Sequence, residues 1–108
     1  MHCGFVTACY IMKSTTDTRS TGISSGETAV PTATTELMCK DACVKANQIC
    51  VAFDFNAAQS PSLRCFIHIS TSVQAVEGSR ISAIGYKQYM VTTTGICQPR
   101  KRSNTPVC

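Results

Sequence analysis

The feature that most restricts this chain is the stretch Cys39 to Ile69, CKDACVKANQICVAFDFNAAQSPSLRCFIHI, which holds four of the eight cysteines and the densest apolar pattern. Thr35 offers a side-chain oxygen to the free N–H groups of a helix start, and Glu36 places negative charge in the first turn, with Lys45 near the last. The spacing predicts a helix over 36–47. Met38, Cys39, Ala42, Cys43 and Ala46 share one stripe of it, with Lys40 and Lys45 away from that stripe, so both cysteines of the CxxxC point inward. In CVAFDF, Val51, Phe53 and Phe55 alternate with Cys50, Ala52 and Asp54, and a loop with Ser60 and Pro61 leads to RCFIHI. The order is helix, strand, turn, strand.

The run TTELMCKDAC, then CVAFDFN, then RCFIH resembles the centre of the PAN/apple family. The resemblance covers Thr35 to Ile69 well and Gly85 to Cys97 loosely. It implies an α+β fold, one helix packed on a twisted antiparallel sheet, with bridges Cys39–Cys65 and Cys43–Cys50 tying helix to sheet. Cysteine spacing by itself leaves the pairing open. In the family a cysteine near the start joins one near the end. Here two stand at each end, and the favoured pairs are Cys3 with Cys97 and Cys9 with Cys108, the tail departing from the family pattern.

The chain of 108 residues reads as a single domain. With no Trp and an aromatic content of 6%, its core is thin, and the even count of cysteines is the covalent remedy of oxidising compartments. A secreted or extracellular location follows. Zinc is the weaker account, since CxxxC lies within one helix and neither a CxxC knuckle nor paired histidines accompany it. Met1, His2 and Cys3 do not form the start of an export signal, so the expectation is a mature piece or a module of something larger. No apolar run suits a membrane span.

Net charge is +4, and Arg100, Lys101 and Arg102 in the basic extension 98–108 account for most of it. Such a triplet marks a glycan-binding segment, a processing site for a basic-specific protease or a solvated tail, the last being preferred because no aromatics are interleaved. Nucleic acid is not expected as a partner of an oxidised protein.

Cys3 to Met12 is rich in strand formers and reads as the first strand. From Ser14 to Thr35 twelve of the residues are Ser or Thr, which reads as a long surface loop with a little strand around Ile23 or Ala29 and Val30. This tract, with Pro31, is also the compositional cue for O-glycosylation, with Thr15, Thr16, Thr32 and Thr34 as candidates. Asn47, Asn56 and Asn104 all lack the N-glycosylation pattern. Ser70 to Ser82 reads as loop with one short strand around Val73 to Val76. ISAIGYKQYMV then reads as a late strand, Tyr86, Gln88 and Met90 facing one way and Lys87, Tyr89 and Val91 the other.

No catalytic constellation can be assembled. His2 is terminal, His68 reads as a half-exposed sheet position, and Asp54, opposite Phe53 and Phe55, is expected to meet solvent or Arg64. No cofactor or metal is expected. The resemblance implies a non-catalytic binding module for protein or carbohydrate ligands, with Arg64, His68, Lys87 and Tyr89 as the candidate contact surface. Two alternatives stand beside it: a structural subunit of an extracellular, O-glycosylated fibre or matrix, in which Cys9 and Cys108 cross-link copies or lock the termini, and a small secreted inhibitor of proteases or platelet adhesion.

Overall fold

The computed structural model describes residues 13–90. The expected first strand at 3–12, the pairings of Cys3, Cys9, Cys97 and Cys108, and the basic extension lie outside the described residues. The fold is α+β, and the described residues form one five-stranded antiparallel sheet and two helices. In chain order the elements are β1 (Lys13–Ser20), a 3-10 turn (Ile23–Ser25), β2 (Glu27–Ala29), α1 (Glu36–Val44), β3 (Cys50–Phe55), a second 3-10 turn (Pro61–Leu63), β4 (Cys65–Ile69), α2 (Val73–Gly78) and β5 (Arg80–Met90). The strands lie side by side as β1-β5-β3-β4-β2.

α1 starts as its sequence says. Thr35 Oγ1 accepts from Met38 N at 3.1 Å, leaving fewer open donors in the first turn. It stops three residues sooner than the expected Asn47, with Lys45 as its cap. The Cys43–Cys50 bridge (S–S 1.98 Å) ties the helix end to the start of β3 and forces the chain to turn within the intervening loop. Cys39–Cys65 (S–S 2.07 Å) ties the middle of α1 to β4. Closing the longer of these loops contributes about 3 kcal/mol by restricting the unfolded chain, and the shorter one less. Regular alternation would turn Cys50 away from the helix with Ala52. A register shift between Cys50 and Ala52 resolves this, as a β-bulge does, and brings Cys50 to the helix side.

On that side Phe53, Phe55, Cys65, Ile67 and Tyr89 form the core with Ala33, Cys39 and Cys43. Phe53 and Tyr89 stack with ring centroids 4.8 Å apart. Ala42 and Ala46 pack at the edge of this cluster, whereas Met38, expected inside, is largely exposed.

Two expectations are corrected. The first part of the Ser/Thr tract is not loop, since Lys13 to Ser20 forms β1 along β5, whereas the little strand expected around Ala29 and Val30 is present as β2, Glu27 to Ala29 along β4. Thr15, Thr16 and Thr18 are β-branched and suit a pleated edge, so hydrogen bonding to β5 replaces the missing apolar burial. The segment expected to hold a strand around Val73–Val76 is instead α2. Ser72 caps it by accepting from Ala75 N at 3.1 Å, and Val76 is buried one turn on.

β5 is sharply bent. Arg80 Nε donates to Gln88 Oε1 at 2.7 Å, although eight residues of extended strand would separate them by roughly 26 Å. The bend lies where Ala83 to Tyr86 face Asp17 alone across the ladder, Thr16 pairing with Lys87 and Thr18 with Ser82. Gly85 adopts φ +88° there, and Asp17 Oδ1 accepts its N–H at 2.9 Å. The far half of the β1–β5 ribbon thereby folds over the sheet face opposite α1. Arg19 reaches across that face, lies 4.0 Å over the Phe66 ring and pairs with Glu27 on β2, so the two outermost described strands meet through one ion pair.

Gly26 tests this closure. It has φ +65°, and a Cβ placed on it would stand 2.0 Å from the Ile69 carbonyl oxygen, a backbone atom with no freedom to retreat. Gly22, at φ +98°, has open space. Gly26→Ala is expected to lose about 3 kcal/mol of stability, as read from urea denaturation of the oxidised protein. A loss below about 1 kcal/mol would contradict the close approach.

Candidate functional site

The face opposite α1 holds a polar cluster in which Ser20, Asp54, His68 and Gln88 are completely buried. Asp54 comes from β3, His68 from β4, Gln88 from β5 and Ser20 from β1. Asp54 Oδ2 lies 2.8 Å from His68 Nε2 and accepts from Ser20 N at 3.1 Å, and Oδ1 accepts from Gln88 Nε2 at 2.9 Å. His68 Nδ1 lies 2.9 Å from the Ser25 carbonyl, which can only accept, so Nδ1 carries a hydrogen. A second hydrogen must lie on the Nε2–Oδ2 bond, on one atom or the other, and the pair carries no net charge in either case. Gln88 Nε2 also donates to Ser20 Oγ at 2.8 Å, and Ser20 Oγ donates to the Val76 carbonyl at 2.5 Å.

Ser, His and Asp together suggest a nucleophile, a base and its orienting acid. The geometry does not support that use. Both ring nitrogens of His68 are engaged, one with Asp54 and the other with a carbonyl, and neither meets a hydroxyl. The Ser20 hydroxyl belongs to Gln88 and Val76. His68 and Asp54 expose no surface, so no substrate reaches them.

His68 is therefore corrected from a half-exposed contact residue to a buried structural one, because the folded-over ribbon, the turn at Ile23–Ser25 and α2 cover its face. Asp54 is likewise not satisfied by solvent or by Arg64. Arg64 instead holds two loops, donating from Nε to the Gln59 carbonyl at 2.7 Å and from Nη1 to the Thr34 carbonyl at 3.4 Å. Phe66 and Ala52 share the alternation of Asp54 and His68, and their apolar character was the sequence signal that this face is covered.

The helix side offers a different surface. A groove of about 330 Å³ lies beside the start of α1, lined by Glu36, Phe55, Asn56, Ala57, Ala58, Gly85 and Lys87. Asn56 shapes its wall, accepting from Ala58 N at 2.9 Å and donating to the Ile84 carbonyl at 3.3 Å. Phe55 stands opposite Lys87 in the ladder. Lys87 is exposed and makes no ion pair among the described residues. Tyr89, two residues along on the same side, is nearly buried and donates its hydroxyl to Glu36 Oε1 at 2.6 Å. Of the four residues expected to form one contact surface, Lys87 lines the groove and Tyr89 supports it from beneath. Arg64 is spent on loops, and His68 lies on the other face. Thr16 and Thr32 are exposed, whereas Thr15 and Thr34 are half-buried. Among the described residues no group of His, Cys, Asp and Glu is arranged to hold a metal, and no helix is long and apolar enough to cross a membrane.

Comparison with protein-family models, with curated proteins and with solved structures found no match.

Two outcomes are expected. Asp54→Ala strands the Ser20 N–H, the Gln88 amide and the imidazole without their acceptor, and should cost about 3–5 kcal/mol in chemical denaturation. A loss below 1 kcal/mol would mean the cluster is not buried as described. The Tyr89 phenol is pushed up to about 12 by burial, by its hydrogen bond to Glu36 and by the charge of that carboxylate. Its unfolded counterpart titrates near 10.0, so the stability it contributes is complete below about pH 10 and is lost as pH rises through about 12. Tyr89→Phe is expected to remove the highest-pH step of tyrosinate absorbance and flatten stability over that window.

Proposed function

We propose that the chain is an extracellular, non-catalytic binding module for protein or carbohydrate ligands, similar in kind to PAN/apple domains, and that it makes contact through the groove beside α1. The observation that carries this reading is the division of the two sheet faces. The only Asp–His pair among the described residues is sealed, while the helix side offers a groove with a Lys87 ammonium that makes no ion pair among the described residues, a carboxylate and exposed alanine methyls. Concave apolar surface with a few fixed polar groups is what recognition sites use. The walls are held rigidly, by Thr35 at the helix start, by Asn56 in the loop and by Tyr89 under Glu36, so little ordering entropy is lost on contact. Disulfides in a small domain are compatible with life outside the cell.

The test is retention of the oxidised full chain on arrays of glycans and of extracellular proteins. Lys87→Glu and Ala58→Arg alter the groove at exposed positions, and each is expected to weaken binding about tenfold or more with an unchanged melting temperature. Binding that survives both substitutions would move the site elsewhere.

A further inference from the structure

The structure also singles out one peptide bond. We infer that Lys45–Ala46 is a processing site for a trypsin-class serine protease acting on the folded domain, and that the cut product stays in one covalent piece.

The described residues hold seven Lys and Arg side chains, and six of them are withheld from a protease. Lys13, Arg19, Arg80 and Lys87 belong to strands β1 and β5 and are held in the ladder. Lys40 lies in the middle of α1. Arg64 is fastened at its backbone, its N–H to the Pro61 carbonyl and its carbonyl to Asn56 N, and the next residue is the buried Cys65. Only Lys45 combines an exposed side chain, a place just after the last residue of a helix and a following loop outside both helix and sheet. Proteases of this class hold their substrate extended with a basic side chain in the specificity pocket, so a segment must leave regular structure to be cut. Helix ends and exposed loops open at the least cost.

Locally the opening breaks two backbone hydrogen bonds and lifts Ala46 from the edge of the core cluster. Lys45 N donates to the Asp41 carbonyl at 2.9 Å and Ala46 N to the Cys43 carbonyl at 3.4 Å, both at the fraying end of α1. Beyond the bond, Asn47, Gln48 and Ile49 are exposed, Ile49 at 75%. The Ile49 carbonyl accepts from Ser70 N at 3.1 Å, which anchors the far side of the loop.

Hydrolysis adds one water, leaving a carboxylate on Lys45 and an ammonium on Ala46. Nothing is released, because Cys43 and Cys50 stand on either side of the cut and are bonded to each other. α1 remains tied to β4 through Cys39–Cys65, and β3 remains between β4 and β5. The groove beside the start of α1 lies at the other end of the helix and keeps its walls.

Limited digestion of the oxidised full chain with trypsin tests this. The expected first product within 13–90 is one water heavier and undivided without reductant, and splits into 1–45 and 46–108 with it. Cuts after Arg100, Lys101 or Arg102 have different masses and are scored separately. Lys45→Gln and Ala46→Pro should abolish the product, and Lys45→Arg should keep it. A first cut at another residue of 13–90, or equal nicking of Lys45→Gln, overturns the assignment. Immediate digestion of the nicked form to small peptides overturns its persistence as one folded piece.

Discussion

The fold depends on where a single carboxylate can find its donors. Asp54 sits in the central strand with no exposed surface, and a buried acidic group is tolerated only when hydrogen bonds replace its water. Its partners come from the three other long strands: the backbone of Ser20 in β1, the imidazole of β4 and the amide of β5. For Ser20 to arrive, the β1–β5 ribbon must fold over the face. That demands the bend at Gly85 and the excess of residues facing Asp17. Once it has folded, Arg19 is delivered to Glu27, and the curl of the sheet closes. A polar cluster of this kind gains less energy than an apolar core but admits few alternatives, since any slip of register leaves donors without acceptors.

The opposite face works by other means. Its aromatic content is small, and the deficit is met covalently, with two bridges joining α1 to the strands beneath it. Loop closure acts on the unfolded chain, so these bridges stabilise without asking for more buried area. Specificity of fold therefore comes from the polar side and much of the stability from the side with sulfur. A mutation on the first side should disturb register, whereas reduction should loosen α1 while the ladder still defines the sheet.

This division explains what the sequence made legible. The cap at Thr35, the helical spacing of Cys39 and Cys43 and the alternation of Phe53 and Phe55 are local signals, and each corresponds to the observed element. β1 and the burial of His68 were not read from the sequence, because the apolar Ala52 and Phe66 of the covered face are interleaved with Asp54 and His68, and the strands that close it bring Ser20 and Gln88. Polar residues on alternate positions look like a solvent face until the partner strand is known. α2 was missed for a smaller reason: Val73 and Val76 at three-residue spacing suit a helical turn after the cap Ser72, but six residues carry too little periodicity to outweigh their β-branched side chains. Among the candidate contact residues, Lys87 stayed at the surface because it shares the helix side of β5, beyond the reach of α1. His68 did not, because parity placed it on the face that β1 closes.

The same partition limits where recognition can occur. A face sealed by a hydrogen-bonded cluster cannot open for a ligand without exposing unpaired charges, a cost no modest binding energy recovers. The helix side has no such lock at its margin. Where α1 begins, the sheet extends past it, and the step between helix and strand leaves a groove whose floor is set by β3 and β5 and whose wall is set by the first turn. Loops and helix ends there vary in sequence at little cost to either the sulfur bridges or the carboxylate network. A scaffold built this way fixes its interior from two independent directions and leaves the groove margin free to acquire a partner.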